Sequence, residues 1–367
     1  MIIKSIELKD FRNYESLKME LSPGINILYG DNAQGKTNVL EALYMCGTTK
    51  SHKNSKDKEI IMISKEEAHI RVMLEKDEIG HKVDMHLKKS KSKGIAIDGI
   101  PIKKSSELLG MMPVIFFSPE DLSIIKDGPA ERRRFLDMEL CQTDKIYYYN
   151  LSNYNKVLTQ RGNLLKQIEF DRTLKDTIDL WDEQLVEFGK QIITIRNEFI
   201  QQMNEMICEI HHRITEGKEQ IRLAYDPNIS ADRMQEELFL HRDIDLGMKT
   251  TGIGPHRDDV IFYINDIDVR KYGSQGQQRT AALSLKLAEI KLMKKKFGFA
   301  PLLLLDDVFS ELDRNRQNHL LESLKNIQTV ITCTGMEEYV KERMIIDKVY
   351  KIVNGTAMEE KGNQENE

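Results

Sequence analysis

The stretch Gly30-Asp31-Asn32-Ala33-Gln34-Gly35-Lys36-Thr37 matches the pattern G-x-x-x-x-G-K-[ST] at every fixed position. Chance supplies such a match in about one chain of this length per hundred. The physics asks for these residue types. Glycines let backbone N–H groups close around phosphate oxygens, and the helix that follows turns its positive end toward them. Lys36 is expected to bridge the β- and γ-phosphates of ATP, and the Thr37 hydroxyl to ligate Mg2+. Upstream, Gly24 to Tyr29 reads as a strand, and downstream Asn38 to Tyr44 has helical spacing. Strand, glycine loop and helix in that order are the context the motif requires, and they predict an α/β fold built on a P-loop. The expected nucleotide-binding residues are Gly30, Asp31, Asn32, Ala33, Gln34, Gly35, Lys36 and Thr37.

A phosphate loop works with a carboxylate, and Leu302-Leu303-Leu304-Leu305-Asp306-Asp307 supplies a pair far down the chain. Four consecutive leucines suit a strand buried on both faces of a parallel sheet. Ligands bind at the carboxyl ends of such strands. Asp306 is expected to bind Mg2+ opposite Thr37, directly or through water. Asp307 is the expected catalytic residue, near the γ-phosphate, where a carboxylate orients an attacking water. Without the P-loop, the same stretch reads equally well as an ordinary strand with a solvated acidic end.

Between and around these motifs the chain changes character. From about Ile60 to Ile102 it reads mostly as strand: Val83, Met85 and Leu87 alternate, Ile95 and Ile97 follow, and Gly94 and Asp98-Gly99 signal turns. From Ala130 to about Thr215 apolar residues recur at helical spacing with few prolines or glycines, which predicts a separate helical lobe. Strand chemistry returns at Val260 to Ile264, and a long helix, about Gln277 to Lys296, leads into the leucine strand. The expected organisation is an ATPase head in two parts, 1–118 and 248–356, a helical lobe at 119–247, and a polar, disordered tail at 357–367.

The 40% hydrophobic and 31% charged content describe a globular chain. No apolar run reaches the roughly 18 residues of a spanning helix. The four cysteines stand far apart with no CxxC pair, so neither a disulfide framework nor a zinc site is indicated and a cytoplasmic setting is expected. A net charge of −5 argues against a uniformly basic nucleic-acid binder but leaves room for local basic stripes.

Upstream of the acidic strand, Ser274-Gln275-Gly276-Gln277-Gln278 precedes a helix. A serine and a glycine there make a second phosphate-binding surface from hydroxyl, backbone donors and helix dipole. The segment resembles the signature sequence of ABC-type ATPases, in the variant of the SMC-like branch, and Ser310-Glu311-Leu312-Asp313 stands where that family's D-loop follows the acidic strand. The resemblance implies an ABC-type head in which Ser274, Gly276 and Gln277 of one copy cap the nucleotide held by the P-loop of another, making ATP the joint of a homodimer. Two departures stand out. Asp307 occupies the place where the family usually has glutamate, and the strand Thr329 to Thr334 lacks the usual switch histidine, leaving Thr334 as its expected stand-in. Both imply slow hydrolysis.

Between Thr37 and Ser274 the chain is too short for a long coiled-coil arm and too long for a transporter ATPase. The chain is similar to the RecF recombination-mediator family over nearly its whole length. The residues that carry the similarity include Phe11-Arg12-Asn13-Tyr14, Phe117 to Leu122, Gly128 to Asp137, Gln160 to Lys166 and Gly254-Pro255-His256-Arg257-Asp258-Asp259. The resemblance implies an ATP-dependent dimer on DNA, duplex or single-strand/duplex junction. It also implies RecO and RecR as partners, a role in directing recombinase loading at gaps and blocked forks, and a nucleotide contact from Arg12.

Basic candidates for DNA phosphates are Lys50 to Lys58, Lys88 to Lys93, Arg132-Arg133-Arg134 and Lys294 to Lys296. Each also has a structural reading: a solvated hairpin tip for Lys88 to Lys93, an ion pair for the arginines, a dipole-complementing helix end for Lys294 to Lys296. Tyr147-Tyr148-Tyr149 reads better as lobe packing than as a base-stacking platform. His256 and Arg257 read either as turn chemistry or as neighbours of nucleotide or DNA. His211 and His212 point to different helix faces, against a metal site. Two other functions stay open: a nucleotide-dependent protein-interaction module, and an ABC-headed nuclease, which needs a further metal-binding cluster.

Overall fold

The computed structural model describes residues 1–335 and 345–360. The first strands are β1 (Ile2–Phe11), β2 (Tyr14–Glu20) and β3 (Ile25–Tyr29), followed by α1 (Lys36–Thr48) and α2 (Asp57–Ile60). Next come β4 (Glu67–Lys76), β5 (Ile79–Lys88), β6 (Gly94–Ile97), β7 (Ile100–Pro101) and β8 (Val114–Phe117). The middle of the chain forms α3 (Leu122–Lys126), α4 (Pro129–Thr143), α5 (Lys145–Gln167), α6 (Ile178–Ile214), β9 (Ile221–Asp226), α7 (Met234–Leu240) and α8 (Arg242–Met248). Then follow β10 (Asp259–Ile264), β11 (Ile267–Asp268), α9 (Val269–Tyr272) and α10 (Gln275–Phe297). The last elements are β12 (Leu302–Asp306), α11 (Arg314–Ser323), β13 (Thr329–Cys333), β14 (Ile346–Val353) and β15 (Thr356–Glu360).

The chain divides into two compact units, Met1–Asp121 with Glu289–Glu367, and Leu122–Ala288. The first contains two six-stranded sheets. One has the order β2-β1-β4-β5-β6-β7 and is antiparallel. Its strands alternate, as in β4, where Ala68, Ile70, Val72 and Leu74 are buried between more open neighbours, the pattern of a sheet with one covered face. The other sheet has the order β15-β14-β3-β13-β12-β8. Its inner pairs are all parallel, and only β15 runs back along β14. Here β12 buries Leu302 to Leu305 without alternation, because both faces are covered. Helix α1 lies against β4 of the first sheet and β8, β12 and β13 of the second. That double contact explains why nearly every residue from Val39 to Thr48 is buried.

The second unit contains α4, α5 and the 37-residue α6, together with the antiparallel sheet β11-β10-β9. The Asp144 carboxylate caps α5 by accepting from the Ile146 and Tyr147 amides. Buried ion pairs tie the unit together: Arg161 to Asp182 and Asp245, and Arg196 to Asp137 and Asp258.

Three boundaries differ from expectation. Residues 248–288 belong with the second unit, since β10 pairs with β9 in one sheet. The region 119–247 is not wholly helical, because Ile221, Leu223 and Tyr225 form β9. Ala357 to Glu360 lie in β15, where backbone pairing to β14 outweighs their polar composition; the rest of the expected tail, 361–367, lies outside the described residues. Among the described residues no helix is long and apolar enough to cross a membrane.

Candidate nucleotide site

Strand β3 ends at Tyr29 and α1 begins at Lys36, so the phosphate loop is the connection between them. Gly30 has φ +149° and Gly35 φ +113°. A Cβ at Gly30 would stand 2.4 Å from the Ile352 carbonyl oxygen, and one at Gly35 2.6 Å from the Asn13 amide. Both glycines are thus required twice, by backbone conformation and by close approach. Asp31, Asn32 and Ala33 are exposed at the tip. The Lys36 ammonium is buried and donates to the carbonyls of Gly30 (2.5 Å) and Asp31 (2.9 Å), which fold it back over the loop. The Asn38 N–H of α1's first turn is spent on the Gly35 carbonyl (2.9 Å), and the start of the helix brings its positive end to the loop.

Residues that the motif does not name hold this loop in shape. Asn13 donates its amide to the Gln34 carbonyl (2.9 Å) and accepts from Asn38 (2.8 Å), and the Tyr14 hydroxyl donates to the Gly35 carbonyl (3.1 Å). From the turn between β14 and β15, the Gly355 N–H donates to the same Gln34 carbonyl, and the Asn354 N–H to the Gln34 side chain (2.6 Å). Arg12 forks onto Glu41 of α1 with two 2.8 Å bonds and reaches Ser55 (2.7 Å) and the Glu59 carbonyl (3.1 Å). Burial alone would push the Glu41 carboxyl up, but the Arg12 fork and the Ser51 hydroxyl outweigh it and hold it below the usual carboxylate range. Arg12 is therefore placed as a brace on the loop's helix.

The acidic strand ends beside the loop, as the parallel order β3-β13-β12 dictates. The Thr37 hydroxyl donates to Asp306 Oδ1 at 2.9 Å, across 269 residues of chain. An octahedral Mg2+ with bonds of 2.0–2.1 Å spaces neighbouring oxygens by about 2.9 Å, so this donor pair fits that ion. Bound there, Mg2+ would supply charge to neutralise phosphate oxygens, held by Thr37 and Asp306. Asp307 follows with φ +53°, a left-handed backbone that turns the chain out of β12. Ser310 donates to the Asp307 carbonyl (2.8 Å), and Asp313 caps α11 through the Arg316 amide (3.0 Å). From β13 the Thr332 hydroxyl donates to Asp306 Oδ1 at 2.6 Å, and Thr334, the expected stand-in for the switch histidine, lies just past the end of that strand.

The signature belongs to the second unit. Ser274 and Gln277 cap the start of α10 reciprocally: Gln277 N–H donates to Ser274 Oγ (3.2 Å) and Ser274 N–H to Gln277 Oε1 (3.0 Å). Gln277 also donates to Glu219 (3.0 Å), and Gly276 accepts from Thr280 (2.9 Å). His256 is held from both ring nitrogens. Its Nε2 donates to the Thr251 carbonyl (3.0 Å), which leaves Nδ1 to accept from the Tyr154 hydroxyl (2.7 Å). Burial pushes its pKa down to about 4, so the ring is neutral.

Several basic candidates also have structural partners. Arg132 is buried against Asp259 (2.6 and 3.0 Å), and Arg133 donates to the Asp258 carbonyl (2.7 Å). Lys88 pairs with Glu67, Lys89 with Glu66 and Lys93 with Asp57. Tyr147 is buried and its hydroxyl meets Asp137 and Arg196. Lys50, Lys53, Lys56 and Lys58 differ: they are exposed and form no ion pair among the described residues. No group of three or more His, Cys, Asp or Glu among the described residues could hold a metal ion.

Residues 2–360 match the model of the RecF/RecN/SMC N-terminal domain. The DNA replication and repair protein RecF of Lachnoclostridium phytofermentans is 59% identical over 362 residues, 99% of this chain and 100% of the relative. The chain belongs to the RecF family. A solved structure of the recombination mediator protein RecF with ATP, in the RecFOR pathway, is 34% identical, covers 98% of both chains and superposes with a TM-score of 0.91. An SMC head bound to the C-winged helix domain of ScpA is 15% identical over 99% of both chains with a TM-score of 0.58, a likeness of fold alone. The fold is therefore an ABC-type ATPase head with an inserted, largely helical lobe.

Proposed function

We propose that this chain is an ATP-dependent DNA-binding protein of recombinational repair and replication, in which two copies close around ATP and Mg2+ on DNA. The observation that carries the nucleotide reading is the Thr37–Asp306 contact at 2.9 Å, a pair of oxygen ligands brought together only by the fold. Lys36 and the α1 N-terminus hold the phosphates, Thr37 and Asp306 the metal, and Asp307 orients water. Ser274, Gly276 and Gln277 of the second copy complete the pocket. Asp307 is one methylene shorter than glutamate, which supports slow turnover, so that ATP times an assembled state. The exposed Lys50, Lys53, Lys56 and Lys58 support contact with DNA phosphates.

Membership of the RecF family supports RecO and RecR as partners and the directing of recombinase loading at gaps or stalled forks. It also supports a cytoplasmic location. The competing reading is a nucleotide-dependent protein-interaction module whose DNA affinity is incidental. DNA binding measured with and without ATP, at several salt concentrations, separates the two. The proposal expects tighter binding with ATP and a fall in affinity with salt, whereas a flat response to ATP supports the module.

A further inference from the structure

We propose that Thr332 is a positioning residue of the nucleotide site, one hydroxyl that sets both the metal-binding Asp306 and the water-orienting Asp307; the inference rests on the nucleotide reading above. Strand β13 lies between β3 and β12, and within it Thr332 stands in register with Leu28 on one side and Asp306 on the other. It is buried, at 1% exposure, so its hydroxyl must find partners inside the protein. A hydroxyl has one proton to give, and Thr332 gives it to Asp306 Oδ1 at 2.6 Å. Its oxygen in turn accepts from the Asp307 N–H at 3.1 Å, and its own carbonyl accepts from the same N–H at 3.2 Å.

Those bonds meet the two demands of the acidic pair. Asp306 has a rotatable carboxylate, and Thr37 and Thr332 both donate to the same oxygen. Were the Thr37 oxygen to hold a metal ion, the Thr332 hydroxyl would remain as a donor to Asp306 Oδ1 and would keep that carboxylate in place to hold the ion as well. Asp307 sits at φ +53°, an unfavourable region for a residue with a Cβ. Its N–H is anchored to Thr332 through both the hydroxyl oxygen and the carbonyl, and that anchor bears on the direction in which its side chain leaves the strand. Removing the hydroxyl while keeping the shape therefore acts on metal use and turnover, not on the phosphate grip of Lys36.

The test uses the full chain and compares Thr332→Val, Thr332→Ser and, as a control on the same strand, Thr329→Val, whose buried hydroxyl bonds only the Ile327 carbonyl. ATP affinity is measured in EDTA and in a Mg2+ titration, and hydrolysis is followed for kcat and KM. The expected result for Thr332→Val is a Mg2+ requirement raised, and a kcat lowered, about tenfold or more, with ATP affinity in EDTA within about twofold of wild type. Thr332→Ser returns both to within about threefold, and Thr329→Val leaves them unchanged. A Val variant with wild-type Mg2+ dependence and kcat overturns the proposal, as does a Ser variant no better than Val. If Val does not fold, Thr332→Ala against Thr332→Ser is read in the same way. A wild-type chain whose ATP binding ignores Mg2+ sinks the nucleotide reading itself, an outcome distinct from a wild-type response shared by Val.

Discussion

Two glycine turns carry the charged motifs of this chain, and they are built on opposite plans. In Gly30 to Thr37 the polar groups are satisfied by short, exchangeable bonds: Lys36 to loop carbonyls, Thr37 to Asp306. A phosphate or a metal ion can replace those partners without disturbing a core. In Gly254 to Asp259 the polar groups other than the exposed Arg257 are sealed. Asp258 is fully buried and accepts from Arg196, Tyr225 and the Asn228 amide, and both nitrogens of His256 are taken. The difference teaches that a glycine turn rich in charge marks a ligand site only when its donors and acceptors can be released cheaply. Sealed ones are struts.

Breaking a strut costs the most. Arg196→Met leaves Asp258 and Asp137 without their cation, and the expected loss is about 3–5 kcal/mol of stability, read from denaturant unfolding. Lys36→Met has the contrasting signature. Its unfolding midpoint stays near wild type, while ATP affinity falls about tenfold to a hundredfold, the 1.5–3 kcal/mol of a charged hydrogen bond, measured by calorimetry. Asn13→Ala, which removes the clamp on the Gln34 carbonyl, weakens ATP binding by roughly 1 kcal/mol with little change in fold. A separate effect is one of pH. His256 is neutral when folded and has its pKa depressed from 6.5 to about 4. The unfolded chain therefore binds the extra proton first, and stability is expected to decline as pH falls through that window. A denaturant midpoint that stays level from pH 7 to pH 4.5 contradicts the strut reading of this turn.

The sequence revealed the half of the site that is local. The loop is contiguous, and four leucines ending in Asp306 announce a buried strand whose carboxyl end meets a ligand. What stayed hidden depends on sheet order. Thr332 is an ordinary strand residue until β13 slots between β3 and β12. Asn13 and Asn354 lie in two turns far apart in the chain, and nothing local says that both close on Gln34. The lysines of Lys88 to Lys93 looked available because their acidic partners, Glu66, Glu67 and Asp57, lie on separate elements. Strand β9 had a signal, the alternation Ile221, Leu223, Tyr225, but it was short and followed a long helical run.

The central claim is that the open loop is half of a pocket completed by Ser274 of a second copy. Sedimentation velocity with ATP and Mg2+ on wild type, Lys36→Met and Ser274→Arg tests it most directly. The account predicts that wild type dimerises with ATP, that each variant alone stays monomeric, and that an equimolar mixture of the two recovers a dimer with one working site. A wild-type chain that stays monomeric with ATP, or a Ser274→Arg variant that dimerises as wild type does, contradicts it.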